Sequence, residues 1–377
     1  MSSEERERER SRNIPYACSL NALSAFFFET GTRQGWLGDG ETGSRETVVL
    51  AVSGGGDSMA LLWLFRTFYE GKVVVAHLEH GIRGKDSLSD ACFVEEMAVR
   101  WKLEAEIRRL DVPAMLQRGE SLETGARRLR YEFLESAARK YDACGVALGH
   151  NREDVAETVL FNLLRGSGVR GVAGMSERRG IFVRPLIHCS RGFLRALLTY
   201  RGVQWREDLS NSNNSYTRNF IRNELLPLAE KVNGKAIDHL AAFAEEMRYY
   251  CEEEEVSGAA LLEAVKIDDG NPREGKNGEK NLWNIDREKL RTLSPRERVL
   301  LTREIGRRLE IPTLSRDRSH RLACLMEGRG PFEFQWGEGV SVWGNRDKIC
   351  WLSAVQEKTN RRVIVDGESG KNRKSGT

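Results

Sequence analysis

The sequence lacks cysteine pairs. Its seven cysteines (Cys18, Cys92, Cys144, Cys189, Cys251, Cys324 and Cys350) are odd in number, dispersed and free of any CxxC spacing. That pattern excludes a disulfide framework and points to a reducing cytoplasm. Long apolar runs are missing too, and Met1–Arg12 alternates Glu and Arg without an apolar core, so neither a membrane span nor a secretory leader is expected. Charge of one sign is also lacking: 59 basic and 56 acidic residues leave a net charge of +3, which argues for no class of partner. There is no internal repeat. At 377 residues the chain is long enough to bury a large core and to form two or three domains.

Against these absences, the richest feature is a glycine run. The apolar string Val48–Val52 leads into Ser53-Gly54-Gly55-Gly56-Asp57-Ser58 and then into Met59–Phe65, a pattern that predicts a buried strand, a loop and a helix. Three consecutive glycines allow backbone N–H groups to approach a phosphate chain, and the helix N-terminus behind them favours negative charge. Ser53 and Ser58 add hydroxyls. A Walker loop is excluded because its lysine is absent, and Asp57 beside phosphates makes sense with Mg2+ between them; a glycine turn with no ligand is the plainer reading.

Short apolar runs (Val48–Val52, Val73–His77, Cys144–Leu148, Ile181–Val183) alternate with helical periods such as Leu122, Ala126, Leu129, Phe133 and Ala137. This predicts an α/β fold with a doubly wound parallel sheet and ligands at the carboxyl ends of its strands. Leu20–Phe28 predicts a helix, as do Asn219–Val232 and Lys235–Tyr250. Phe332–Trp336, Val340–Trp343 and Ile349–Leu352 predict a small hairpin. The expected division is 1–45 for an N-terminal extension with one helix, 46–215 for a nucleotide-binding catalytic domain, 216–330 for a smaller, mainly helical domain, 331–356 for the hairpin and 357–377 for a basic tail.

Three further constellations fall at strand ends. His77-Leu78-Glu79-His80-Gly81-Ile82-Arg83 fits a nucleoside-holding edge with Arg83 turned to phosphate, a zinc set lacking its third cluster, or an ordinary strand end capped by a glycine turn. In Glu123–Tyr131, Arg127, Arg128 and Arg130 point in different directions, with Arg128 and Arg130 expected on a solvated or partner-facing edge. In Gly149–Thr158, Asp154 and Glu157 lie three apart on one helical face, placed either to hold a cationic substrate or simply to favour a helix N-terminus. Between Arg165 and Arg201 stand eight arginines and one acid, Glu177. With the glycine-broken stretch 166–174, they form a basic segment suited to RNA.

Taken in order, SGGGDS, HLEHGIR, ETGARRLRY, GHNREDVAET, RGSGVRGVAGM, RPLI and WREDLSN…TRNFIRNELLP resemble the tRNA(Ile)-lysidine synthase family of PP-loop enzymes over residues 48 to about 230. The resemblance implies ATP-driven ligation of free lysine to C2 of the wobble cytidine in the CAU anticodon of tRNA(Ile), through an adenylated cytidine. It implies that Ser53, Gly54, Gly55, Gly56, Asp57 and Ser58 hold the phosphates, with Asp57 as the Mg2+ ligand, and that His77 and His80 lie near the nucleotide. Arg127, Asp154 and Glu157 would surround the lysine and the reacting centre, while Arg165, Arg218, Asn219 and Arg222 would accommodate the tRNA; a homodimer is left open. Glu79, Asn151, Glu153 and Val155 depart from the family's usual residues, Glu79 with a consequence for nucleotide positioning. The rival is a PP-loop tRNA thiolase, for which the dispersed cysteines offer no catalytic pair; a non-catalytic RNA-binding module would leave Asp57, Asp154 and Glu157 unexplained.

Overall fold

A computed structural model of the chain describes residues 19–36, 46–81, 85–207, 217–267, 280–337 and 339–353. Arg83, the expected extension before residue 19 and the tail from 354 onward lie outside these described residues. The chain divides into two units, Met1–Cys251 and Glu252–Thr377.

The first unit is built on a six-stranded sheet. In chain order its elements are α1 (Leu20–Gln34), β1 (Thr47–Ala51), α2 (Gly56–Phe68), β2 (Lys72–Glu79), α3 (Lys85–Arg100), β3 (Glu104–Arg109), α4 (Leu122–Lys140), β4 (Ala143–Leu148), α5 (Arg152–Leu164), α6 (Val169–Val172), β5 (Arg178–Arg179), β6 (Phe182–Val183) and α7 (Arg191–Arg201). A helical stretch follows as α8 (Thr217–Phe220), a π-helical turn (Ile221–Leu225) and α9 (Leu226–Val232), and then comes α10 (Ala236–Val265). The spatial strand order is β3-β2-β1-β4-β6-β5, parallel throughout except where β5 runs against β6. The expected doubly wound sheet is therefore present.

Alternation sorts its core. Val48, Leu50 and Val52 face α2, α1 and α7 through Met59, Leu62, Phe27, Leu194 and Leu198, whereas Val49, Ala51, Val146 and Leu148 pack with Phe133, Leu134 and Ala137 of α4. A strand covered on both faces reads as a continuous apolar run, which is why β1 was visible in the sequence. β3 was not, because Glu104, Glu106, Arg108 and Arg109 interrupt it; it is an edge strand, where polar side chains meet water. Chain order reverses between β1 and β4, so the ends of these two strands open a crevice at the sheet's switch point.

The second unit places β7 (Lys280–Asp286), β8 (Phe332–Gly337), β9 (Val340–Gly344) and β10 (Lys348–Ser353) in an antiparallel sheet ordered β7-β10-β9-β8. Helices α11 (Arg287–Arg291), α12 (Pro295–Arg308) and α13 (Arg316–Glu327) accompany it. Leu301, Ile305, Leu322, Met326, Val342, Ile349 and Trp351 form its core. The strands expected as a hairpin thus belong to a larger sheet, completed by β7. Among the described residues, no helix is long and apolar enough to cross a membrane.

Candidate functional site

The glycine loop runs from β1 into α2 at the switch point. Gly54 has φ +88°, a conformation open to glycine at little cost, and Gly55 is the N-cap without a side-chain cap. The first intrahelical bond runs from Met59 N–H to Gly55 O at 2.9 Å, so the N–H groups of Gly56, Asp57 and Ser58 are left to the helix mouth. Ser58 Oγ donates to Gly55 O (2.9 Å) and accepts from Ser53 N–H (3.2 Å), tying the loop into a closed turn. A second segment braces it: Arg206 N–H donates to Gly54 O at 2.9 Å, and Gly55 and Arg206 pair as a parallel bridge.

The loop after β4 meets this turn at Gly149, where a Cβ would lie 3.2 Å from both Ser58 Cα and Ser58 N. Beyond it, Asn151 caps α5 by accepting from Asp154 N–H (3.0 Å), and Asp154 Oδ2 accepts from Asn151 N–H (3.0 Å). This capping box is the structural role foreseen for an acid at that position. Asp154 serves a second purpose with its other oxygen: Oδ1 lies 2.9 Å from Arg222 Nη2 and 3.5 Å from Arg191 Nη2. Glu157 receives Arg222 Nε (2.5 Å) and Nη2 (2.9 Å) in a fork, with Arg191 Nη2 at 3.5 Å. Arg191 also reaches Asp57 Oδ2 at 3.9 Å.

Three carboxylates, Asp57, Asp154 and Glu157, therefore share two guanidinium groups. Burial, followed by the charge of Asp154, raises the Asp57 carboxyl pKa, while Arg191 opposes the shift. Burial likewise raises that of Glu157 against its Arg222 hydrogen bonds. Arg191 was missed in the sequence; it sits in a featureless Ser-Arg pair, and only the start of α7, where its N–H donates to both Glu153 oxygens (3.0 and 2.9 Å), brings it to the site. Among the described residues, no group of three or more His, Cys, Asp or Glu is arranged to hold a metal ion. Asp57 alone, at the mouth of the cradle, fits a Mg2+ whose other ligands would be phosphate oxygens and water.

The remaining candidates occupy distinct places. His77 is buried, with Nδ1 2.8 Å from Val52 O at the end of β1; burial lowers its pKa, so it is a neutral brace beneath the loop. His80 follows β2, and its carbonyl accepts from Val112 N–H at 3.3 Å. Glu79 is held at the end of β2: Oε1 accepts from Gly81 N–H (2.7 Å) and Oε2 pairs with Arg109 Nε (2.9 Å). Arg165 and Arg218 both stack on Phe161, at 5.0 and 5.7 Å from its centroid. Arg127 lies over Tyr131 at 5.1 Å.

The solvated edge expected for Arg128 and Arg130 is not what forms. Arg128 is forked onto Glu120 (2.9 and 2.8 Å) and donates to Met115 O (3.1 Å). Arg130 is half-buried, close enough to His150, His77 and Asp154 for their charges to be coupled. Helical phase alone does not tell that the side of α4 carrying Arg130 turns toward the site.

The sequence is similar to that of known proteins over the segment that carries this site. The tRNA(Ile)-lysidine synthase of Thermus thermophilus is 44% identical over 202 residues, 53% of this chain and 39% of that protein. Those of Chlorobaculum tepidum and a Thermotoga species are 38% and 40% identical, covering 56% and 50% of this chain and 64% and 46% of theirs. The chain thus spans less than two thirds of the length of these curated relatives. The PP-loop domain model matches residues 36–229, the segment that contains the glycine turn, Asp154, Glu157, Arg191 and Arg222, and the chain belongs to the PP-loop family.

Proposed function

We propose that this protein ligates free lysine to C2 of the wobble cytidine of a CAU-anticodon tRNA(Ile), using ATP and releasing AMP and pyrophosphate in the cytoplasm. The observation that carries this reading is the placement of half-buried Asp154 and buried Glu157 beside the glycine cradle: two carboxylates fit for an alkylammonium, next to a cradle fit for a triphosphate. The similar proteins named as tRNA(Ile)-lysidine synthases support the same substrates.

In this scheme the N–H groups of Gly56, Asp57 and Ser58 and the hydroxyl of Ser53 hold the phosphates. Mg2+ between Asp57 and the phosphates would neutralise charge developing on the departing pyrophosphate. The cytosine O2 attacks the α-phosphorus and so becomes part of a good leaving group, AMP. The lysine ε-amine, ordinarily protonated with a pKa of about 10.4, must lose its proton before it attacks C2. Glu157 is the base in this scheme. Its carboxyl is raised by burial, which strengthens it as a proton acceptor, and Arg222, which forks onto both of its oxygens, would have to give way to the ammonium. Arg127 would approach the reacting centre. Arg165, Arg218, Asn219 and Arg222 would receive the tRNA, with the Arg165–Phe161–Arg218 stack offering a platform for an unpaired base.

Sulfur transfer fits less well. Cys144 and Cys189 have thiols pushed up by burial to about 11 and about 12, which keeps them protonated and poor nucleophiles.

The deciding experiment incubates the purified protein with ATP, labelled lysine and the CAU-anticodon tRNA(Ile). Label should enter RNA only when all three are present; label that stays out of RNA, or a sulfur donor that replaces lysine, would refute the reading.

A further inference from the structure

Among the described residues, Arg127, Arg130 and Arg184 have no carboxylate partner, unlike two other arginines of α4. Arg128 and Arg139, on the same helix, pair with Glu120 and Glu135. Arg127 and Arg130 make no ion pair among the described residues, and neither does Arg184, which follows β6. Yet Arg184 is 4% exposed. Its Nη1 donates to Ser176 O (2.7 Å) and it adjoins the Tyr131 phenol, but its Nε is buried without an acceptor. Arg127 meets the same phenol, Nη2 to Oη at 3.4 Å. His150, close enough to feel the charge of all three arginines, has a buried Nδ1 that also lacks a partner.

We propose that Arg127, Arg130 and Arg184, gathered about His150, form a binding site for a phosphate group. An idle N–H on a buried guanidinium bears its desolvation cost uncompensated, and a phosphate oxygen satisfies it in the geometry that arginine forks suit. Like charges crowded in a low-dielectric region repel, and an anion relieves that repulsion. The strain is visible in the titration of the groups. Burial and then Arg130, Arg184, Arg127 and Arg218 hold the His150 pKa well below its ordinary value; burial also lowers those of Arg130 and Arg184, with Arg127 adding to both. His150 is thus a neutral imidazole among cations, able to hydrogen-bond an anion without adding charge.

The position narrows the occupant. His150 and Arg184 follow β4 and β6, on the same sheet edge as the glycine loop, and the neighbouring Gly149 touches Ser58. The loop's own N–H groups already suit the ATP phosphates, so the arginine site is assigned to a backbone phosphate of the RNA beside the target base. The choice of RNA rests on the proposed function; the phosphate site itself does not.

The test measures two affinities and no catalysis. A CAU anticodon stem-loop RNA is titrated without ATP over a salt series, and ATP is titrated without RNA, for wild type, Arg130→Gln, the Arg127→Gln/Arg130→Gln double variant and the exposed control Arg139→Gln. Each lost phosphate contact should flatten the slope of log K against log salt by about 0.7 to 0.9, with ATP affinity within twofold of wild type and the control unchanged. A tenfold fall in ATP affinity with an unaltered RNA slope would keep the site and assign it to ATP. No change in either affinity, in a double variant with the urea midpoint of wild type, overturns the proposal. Should the double variant unfold early, Arg130→Lys decides: it keeps the charge but loses the fork, so RNA affinity should fall several-fold with the slope retained, and unchanged affinity overturns the site. Absence of lysidine with an intact salt response would sink the ligase reading alone.

Discussion

Gly149 has no side chain because Ser58 leaves no room for one. Its Cβ would press on backbone atoms at 3.2 Å, and backbone cannot rotate away as a side-chain tip does. Gly149→Ala should therefore push the β4–α5 loop off the nucleotide turn, weakening ATP binding about tenfold, with a stability loss of about 1–3 kcal/mol; calorimetric titration and urea unfolding check the two effects. For the acidic pair, Glu157→Gln should abolish lysine transfer while leaving ATP-dependent adenylation of the RNA measurable. Asp154→Asn should lower both, since it weakens the cap of α5 and one Arg222 contact; lysidine formation at the wild-type rate in Asp154→Asn would remove that residue from the site. These carboxylates were legible in the sequence because they share a helical turn beside a strand end. Arg191 was not, since what joins it to Asp57, Asp154 and Glu157 is the packing of α7, which no local pattern announces.

The helix α1 and Trp36, just past its Gly35 cap, anchor to the sheet's helices through aromatic side chains. Phe27 and Trp36 are 2% and 1% exposed, with ring centroids 4.7 Å apart, and each lies within 5.0 Å of Phe65 on α2. Trp36→Ala should cost about 3–5 kcal/mol in denaturant unfolding, although it touches no residue assigned to chemistry. The same helix is pinned by Glu177, which accepts from Arg33 Nε at 2.9 Å and lies 2.6 Å from His188 Nε2. The His188 and Arg33 contacts hold the Glu177 carboxyl at about 2 against an ordinary 4.5. A depressed acid stabilises the fold above its unfolded pKa and loses that contribution as pH falls through the folded value. The melting-temperature gap between wild type and Glu177→Gln should accordingly be full near pH 6 and shrink between about pH 4.5 and 2.

Strands β1 and β4 could be read from their apolar runs. β3 and β7 could not, because an edge strand rich in charge and a strand entered from a polar stretch carry no period that survives their surroundings. The π-helical turn was equally hidden: Leu226 N–H bonds to Ile221 O, five residues back, and nothing in the sequence marks it.

At the scale of the whole molecule, two separate cores predict two unfolding events. One is built around β1 and α2, the other around Ile305, Trp351 and their neighbours. Scanning calorimetry should resolve two transitions, with saturating ATP raising only that of the first unit, by the linkage of ligand to the state that binds it; a single transition shifted as one would contradict this. The net charge of +3 gives no hint of the proposed RNA partner, because basic residues around Arg165–Arg201 are offset by acids elsewhere. The boundary between the units, at Cys251 and Glu252, falls inside the thirty-residue helix α10 and not in a connecting loop. A chimaera spliced there from two relatives would have to preserve helical phase across the joint to keep each parent's buried residues facing its own core, since each inserted or deleted residue turns everything downstream by about 100°.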